Sequence, residues 1–216
     1  SHNEYLMRLK LIILGRGIFV KRNQLLFLSL ISSLLVILTS FFQWDLVDLI
    51  TEFLMLPIWL GVYASFIFVT VWAMVHLFRY KYWQPLIIQL ITIAIWFFFP
   101  FNQVNLDMNF KVHQDKREEV ATKIENGIIK PNVSDSPSLI HLSKEYNWLS
   151  KGGGDIVLEG KGKEKSILFF TYRGMLDNFS GFVYDPNDRR PLKSDFDGDF
   201  KQIEKVHKNW YYVSSY

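Results

Sequence analysis

The chain of 216 residues has room for one ordinary domain, or for a small domain behind a membrane anchor. It contains no cysteine, which excludes disulfide frameworks, thiol nucleophiles, thiolate zinc sites and c-type haem attachment. The net charge of +3 belongs wholly to residues 1–101, where Arg8, Lys10, Arg16, Lys21, Arg22, Arg79 and Lys81 oppose Glu4, Asp45, Asp48 and Glu52; residues 102–216 are neutral and carry no basic excess for nucleic acid.

Residues 9–20, "LKLIILGRGIFV", are too short to span a bilayer and read as an interfacial segment whose basic groups favour anionic lipid. Three uncharged apolar runs follow, at residues 24–42, 53–78 and 85–101, each apolar on all sides, and the reading is three transmembrane helices. A signal peptide is the other reading of the first run, but "FFQWDLVD" after it offers no small-residue cleavage site. Basic residues flank the N-terminal side of the first run and the "RYKYWQ" link between the second and third. The link "QWDLVDLITE" holds three acids and no base, so the N-terminus is expected in the cytoplasm and everything after Phe101 outside.

Few polar groups interrupt these runs. His76 falls near a helix end beside Arg79, and Gln89 is expected to bond a neighbouring helix rather than to line a path. Ser29, Ser32 and Ser33 form a small-residue patch that lets helices approach closely. So little polarity points to an anchor or docking surface, not a pore.

Beyond residue 102 the pattern changes to charges, glycines and short strand-like runs. Leu106, Met108, Phe110 and Val112 alternate and predict a half-buried strand, followed by a helix over 116–126 capped by Asp115 and stopped at Gly127. Residues 139–142 predict a short strand. Gly152, Gly153 and Gly154 lead into "DIVLEG" rather than a Gly-Lys-Ser/Thr helix start, so they read as a turn and not as a phosphate loop. Strands are expected over 155–159, 166–172 and 179–185, then a turn "DPNDRRP", then a hairpin of 201–207 and 210–214 joined at "KN". The second half is therefore expected to be a small soluble α+β domain, a mainly antiparallel sheet with one helix, over 102–216.

Four groups of residues invite a chemical reading. Asp195, Asp197 and Asp199 in "DFDGD" resemble the start of a calcium loop, but the glycine and glutamate positions of that loop do not follow, and a solvated turn is favoured over a metal site. His113, His141 and His207 lack metal-ligand spacing, and no serine lies in a GxSxG context. Arg173, Asp177, Asn178 and Ser180 could bind an anionic ligand or position a phosphoryl group, but with no complementary base or nucleophile elsewhere in the chain the favoured reading is that Asp177 and Asn178 shape a bend while Arg173 pairs with an acid. Both readings use the same residues. The aromatic set around Trp210 and Tyr212 consists of residue types common at protein interfaces, although half or more are expected in the core.

"FFTYRGMLDNFSGFVYD" and the terminal "KNWYYVSSY" resemble uncharacterised bacterial membrane-anchored proteins whose C-terminal domain carries an RGxLDNFSGFxY-type motif. The resemblance covers about the last 110 residues and implies a bacterial module but no activity. The expectation is a multi-pass bacterial membrane protein without cofactor or catalytic residues. Its extracytoplasmic domain would bind a membrane or extracellular protein partner through Arg173, Asp177, Asn178, Ser180, Trp210 and Tyr212, as an accessory subunit or immunity-type protein. A surface sensor or enzyme built on Arg173, Asp177 and Asn178 is the alternative.

Overall fold

The structure is a computed structural model that describes residues 2–50, 52–134, 136–160, 164–174 and 178–216, with side chains described at 22–47, 49–50 and from 53 onward within those ranges. The chain divides into two units, Ser1–Asn102 and Gln103–Tyr216.

The first unit is helical. Helix α1 (His2–Phe41) runs unbroken through both the segment read as interfacial and the first apolar run. Helix α2 (Gln43–Ile50) occupies the acidic link, α3 (Glu52–Tyr80) the second apolar run, and α4 (Gln84–Phe98) the third. Two helices are long and apolar enough to cross a membrane, over Arg22–Phe41 and Phe53–Tyr80. Only 17% of the Phe53–Tyr80 window is buried, so its apolar surface is not the core of a globular domain. Helix α4 has 15 residues, about 22 Å at 1.5 Å per residue, and is broken at Phe99–Pro100 from the helix that follows. It makes a third span only if the broken pair counts as one.

Polar groups of this unit point inward. Gln89 is fully buried, donates through Nε2 to the Ser29 carbonyl at 3.2 Å and the Ser32 hydroxyl at 3.1 Å, and accepts from Thr70 Oγ1 at 3.2 Å. One amide thus ties α1, α3 and α4, as the sequence suggests, with Ser29, Ser32 and Ser33 all buried at the contact. His76 is placed within α3, its Nδ1 3.2 Å from the Trp72 carbonyl and its ring between Trp72 and Tyr80. The ends of the helices are also fastened. The Arg22 guanidinium lies 4.3 Å over the Tyr82 ring at one end. At the other, Gln43 Nε2 and Trp44 Nε1 both donate to Asn102 Oδ1, at 2.5 and 3.1 Å.

The second unit packs helix α5 (Phe101–Glu125), from Gln103 on, against a six-stranded antiparallel sheet. Its strands are β1 (Leu139–His141), β2 (Asp155–Glu159), β3 (Ser166–Arg173), β4 (Phe179–Tyr184), β5 (Phe200–His207) and β6 (Trp210–Ser215), in the order β1-β2-β3-β4-β6-β5. The expected strand at 106–112 and the helix start at Asp115 are corrected: both lie inside α5. Apolar residues at Leu106, Phe110, Val120, Ala121 and Ile124 follow a helical stripe that packs on the sheet, whereas Met108 and Val112 are exposed. The apparent alternation combines two faces of one helix. Gly127 does stop it: φ is +69°, and the Gly127 and Ile128 N–H groups donate to the carbonyls of Ile124 and Lys123, a Schellman closure.

The sheet is covered on both faces. On the α5 side lie Ile140, Ile156, Leu158, Ile167, Phe169, Phe182 and Trp210; on the other, Leu168, Phe170, Val183, Phe200 and Val213 pack under Phe196 from the 186–199 segment. Strict alternation in β3 and β4 delivers these sets to opposite faces.

Candidate functional site

The structure brings only part of the expected Arg173 cluster together. Arg173 ends β3, its stem lies against Gly152, and its guanidinium stands 5.2 Å from the Phe170 ring. Its Nη1 pairs with Asp155 Oδ2 at 3.1 Å, while the other oxygen of Asp155 faces His141 Nδ1 at 2.9 Å. Arg173 is thus paired with an acid on β2. Asp177 lies outside the described residues. Asn178 closes the bend through its carbonyl, which accepts from Gly174 N–H at 2.8 Å; a Cβ at Gly174 would collide with the Asn178 amide oxygen. Ser180 is buried, and its hydroxyl sits 2.9 Å from that of Thr171. Arg173 and Ser180 therefore satisfy neighbours in the sheet.

The two aromatic candidates are also placed. Trp210 is fully buried against Phe110, Phe169 and Tyr184, which corrects its assignment to a partner surface: its indole fills the core between α5 and the sheet. Tyr212 is half-buried beside Phe182, and burial pushes its phenol up from its ordinary value. Trp148 and Tyr216 are the exposed aromatics at this end of the chain.

In "DFDGD", Asp195 Oδ2 accepts from Leu192 N–H at 2.8 Å and shapes a short 3-10 turn over Asp195–Asp197. Asp199 contributes a carbonyl to Tyr216 N–H. Among the described residues no three His, Asp or Glu side chains gather to hold a metal ion.

The residues that do converge on a concave site are elsewhere. A cleft of about 510 Å³, within the range of ligand sites, opens on the Phe196 side of the sheet between the ends of β2 and β3 and the segment 185–196. The "DPNDRRP" turn builds one wall. Asp185 is buried; its carboxylate accepts from Ser166 Oγ and Asn187 N–H at 2.8 Å each, from Arg189 N–H at 3.1 Å, and from Arg189 Nε. An aspartate bonding its own turn fixes the local path. Asp188, at φ +56°, pins that path to the β5–β6 hairpin by accepting Asn209 N–H at 2.8 Å, and its carbonyl accepts from the Tyr211 hydroxyl at 2.8 Å.

The facing wall is acidic. Glu159 ends β2 and accepts Phe196 N–H at 2.6 Å, and its carboxyl is pushed up by burial and by the nearby negative charge of Asp195 and Asp197. Phe196 itself sits at φ +58°, a left-handed conformation that costs a bulky residue on the order of 1–3 kcal/mol. The Glu159 hydrogen bond and the burial of the ring on the sheet hold it there. Glu164, Val183, Arg189, Arg190, Pro191 and Leu192 also line the cleft.

Sequence reading named one member of this site, Asp195, and for a different chemistry. Glu159, Asp185 and Arg190 passed as strand-end and turn residues. The available signal was the density of charge in "DPNDRRP" and "DFDGD" within 15 positions of each other. No family model, curated protein or solved structure matches this chain.

Proposed function

We propose that the chain is a three-span bacterial membrane protein, with its N-terminus in the cytoplasm, that displays the 103–216 unit outside as a non-enzymatic binding module for a protein partner. The observation that carries the topology is the fastening of the helix ends. Arg22 meets Tyr82 at one end and Gln43 meets Asn102 at the other. The stretch from Tyr82 to Asn102 therefore covers the same axial distance as the first span, about 30 Å, although α4 alone is shorter. Arg22, Arg79 and Lys81 then share an end, which the positive-inside rule assigns to the cytoplasm.

The binding reading is supported by the neutral balance of the outer unit, by a cleft of ligand size and by the internal use of Arg173. Because the chain has no cysteine, single cysteines test the topology cleanly. An impermeant maleimide applied to intact cells should label Lys144→Cys and spare Asn23→Cys. Labelling of Asn23→Cys alone would reverse the orientation. For the binding role, recovery from native membranes with and without the outer unit is compared, and absence of a stoichiometric partner in both samples would overturn it. Arg173→Gln separates the sensor or enzyme alternative: loss of phenotype at unchanged thermal stability would favour a functional Arg173.

A further inference from the structure

We propose that the cleft between the β2–β3 end and the segment 185–196 receives the cationic side chain, lysine or arginine, of an exposed peptide segment on the protein partner. This rests on the binding role proposed above and identifies its site.

The charges of the cleft decide the sign of its ligand. Asp185 is spent on Ser166, on two backbone N–H groups and on Arg189. Arg189 in turn is held by Asp185 and by Glu164, whose carbonyl it reaches at 3.2 Å and whose carboxylate at 3.6 Å. Arg190 donates from Nη2 to the Ile203 carbonyl at 3.2 Å, covering an outward group of the edge strand β5. Arg189 is thus engaged, whereas Arg190 uses one of its five donors; among the described residues the carboxylates of Glu159, Glu164, Asp185 and Asp195 line the cleft against these two guanidiniums, so the balance is negative.

The acids on the facing wall are not balanced in this way. Glu159 and Asp195 each use one oxygen to hold a backbone N–H, of Phe196 and of Leu192. Their second oxygens have no partner among the described residues. Burial pushes the Glu159 carboxyl up, and the negative charge of Asp195 and Asp197 adds to that push. A cation entering here would relieve it, and the relief grows as water is displaced.

Shape selects among cations. The described side chains offer no three-ligand set for a metal ion. The acidic wall adjoins apolar surface instead: Val183 and Phe196 line the cleft, and Leu192 at its mouth is 66% exposed. An aliphatic stem packed on those groups with its charged head at Glu159 and Asp195 is how lysine and arginine bury themselves. The volume of about 510 Å³ takes one such side chain and part of the backbone that carries it.

The test uses the full chain in nanodiscs of zwitterionic lipid. Two probes are titrated calorimetrically: acetyl-Leu-Lys-amide, and acetyl-Leu-norleucine-amide, which keeps the stem and lacks the charge. The lysine probe should bind at least tenfold more tightly, and Glu159→Gln should remove that preference while still accepting Phe196 N–H. Asp195→Asn should weaken binding in the same direction. Leu192→Ser, at an exposed position that cannot endanger the fold, should weaken both probes alike. Equal affinity for the two probes, or a preference that survives both Glu159→Gln and Asp195→Asn, overturns the proposal. Recovery of the native partner separates this inference from the reading beneath it. A partner captured equally by the wild-type chain and Glu159→Gln would overturn the cleft assignment and leave the binding role standing. No partner with either would overturn the role itself.

Discussion

The two units of this protein bury opposite chemistry. In residues 22–102 most leucines, phenylalanines and isoleucines are exposed, and Ser29, Ser32, Gln89 and Thr92 are buried between the helices beside a few apolar residues such as Leu25, Met55 and Ala73. In residues 103–216 Phe169, Phe182 and Trp210 fill the interior and charge lies outside, with Arg117 and Asp185 as the exceptions among the described residues. The inversion is the one expected of helices long and apolar enough to cross a membrane. Against lipid, apolar burial between helices gains little, so small residues and hydrogen bonds count for more at the contact; against water, removal of aromatic area dominates.

The comparison is broken most forcefully in the aromatic core. Phe182 is nearly fully buried between Phe110, Tyr212 and the Arg117 guanidinium. Phe182→Ala is expected to cost the second unit about 3–5 kcal/mol, read as lost hydrogen-exchange protection in β3, β4 and β6. Amides of α1, α3 and α4 should keep theirs. A loss shared by both units would mean that they unfold as one.

Arg117 tests the first of these exceptions. It is 2% exposed, its guanidinium is 4.8 Å from the Phe182 ring, and no carboxylate pairs with it among the described residues. It donates to the Leu149 carbonyl and to the carbonyl and side-chain oxygen of Asn109, and burial lowers its pKa to about 10, still charged at neutral pH. Arg117→Met keeps the volume and orphans those acceptors, so a loss of about 2–3 kcal/mol is expected by the same exchange measurement. A gain in protection would show that desolvating the cation outweighs its hydrogen bonds.

Gln89→Leu sharpens the comparison from the lipid side. It removes three hydrogen bonds from a fully buried position, yet the expected loss is only about 1 kcal/mol. The partners have other acceptors: Thr70 Oγ1 also donates to the Phe66 carbonyl at 2.8 Å, and Ser32 Oγ to that of Ser29 at 3.2 Å. Unfolding of the helices in mixed micelles measures it, and a loss as large as that of Arg117→Met would erase the distinction between the units.

What was legible in the sequence divides along the same line. The six strands of the sheet were readable almost to the residue, because each is a short run rich in apolar and aromatic residues bounded by turn chemistry, and β3 and β4 are buried on both faces. Helix α5 was misread because its sheet-facing stripe passes through Arg117, which hides the apolar period, and because exposed Met108 and Val112 fall in step with Leu106 and Phe110. The burial of Trp210 was not readable, since an aromatic in a strand serves a core or a surface equally well. The cleft was hidden for another reason: Glu159, Asp185 and Asp195 meet only through sheet order and the fold of segment 185–196, which no local pattern encodes.

The smallest effect concerns the surface of the second unit. Glu119 accepts hydrogen bonds from Lys123, from the Tyr146 hydroxyl and from Lys116, which together hold its carboxyl at about 2, below an ordinary value of 4.5. A depressed carboxyl adds stability above its unfolded pKa and loses it as pH falls through the folded one. The network should therefore fasten Tyr146 to α5 fully at pH 6 and weaken between about pH 4.5 and 2. Solvent screens these groups, so the change belongs to local opening and not to global unfolding. Exchange at the amides of 146–149 should be faster in Glu119→Gln than in the wild-type chain at pH 6, and the difference should vanish near pH 2. A difference independent of pH would assign the contact to packing of the Tyr146 ring under Lys123 rather than to the carboxylate, and the second unit would owe that edge to buried apolar area as well.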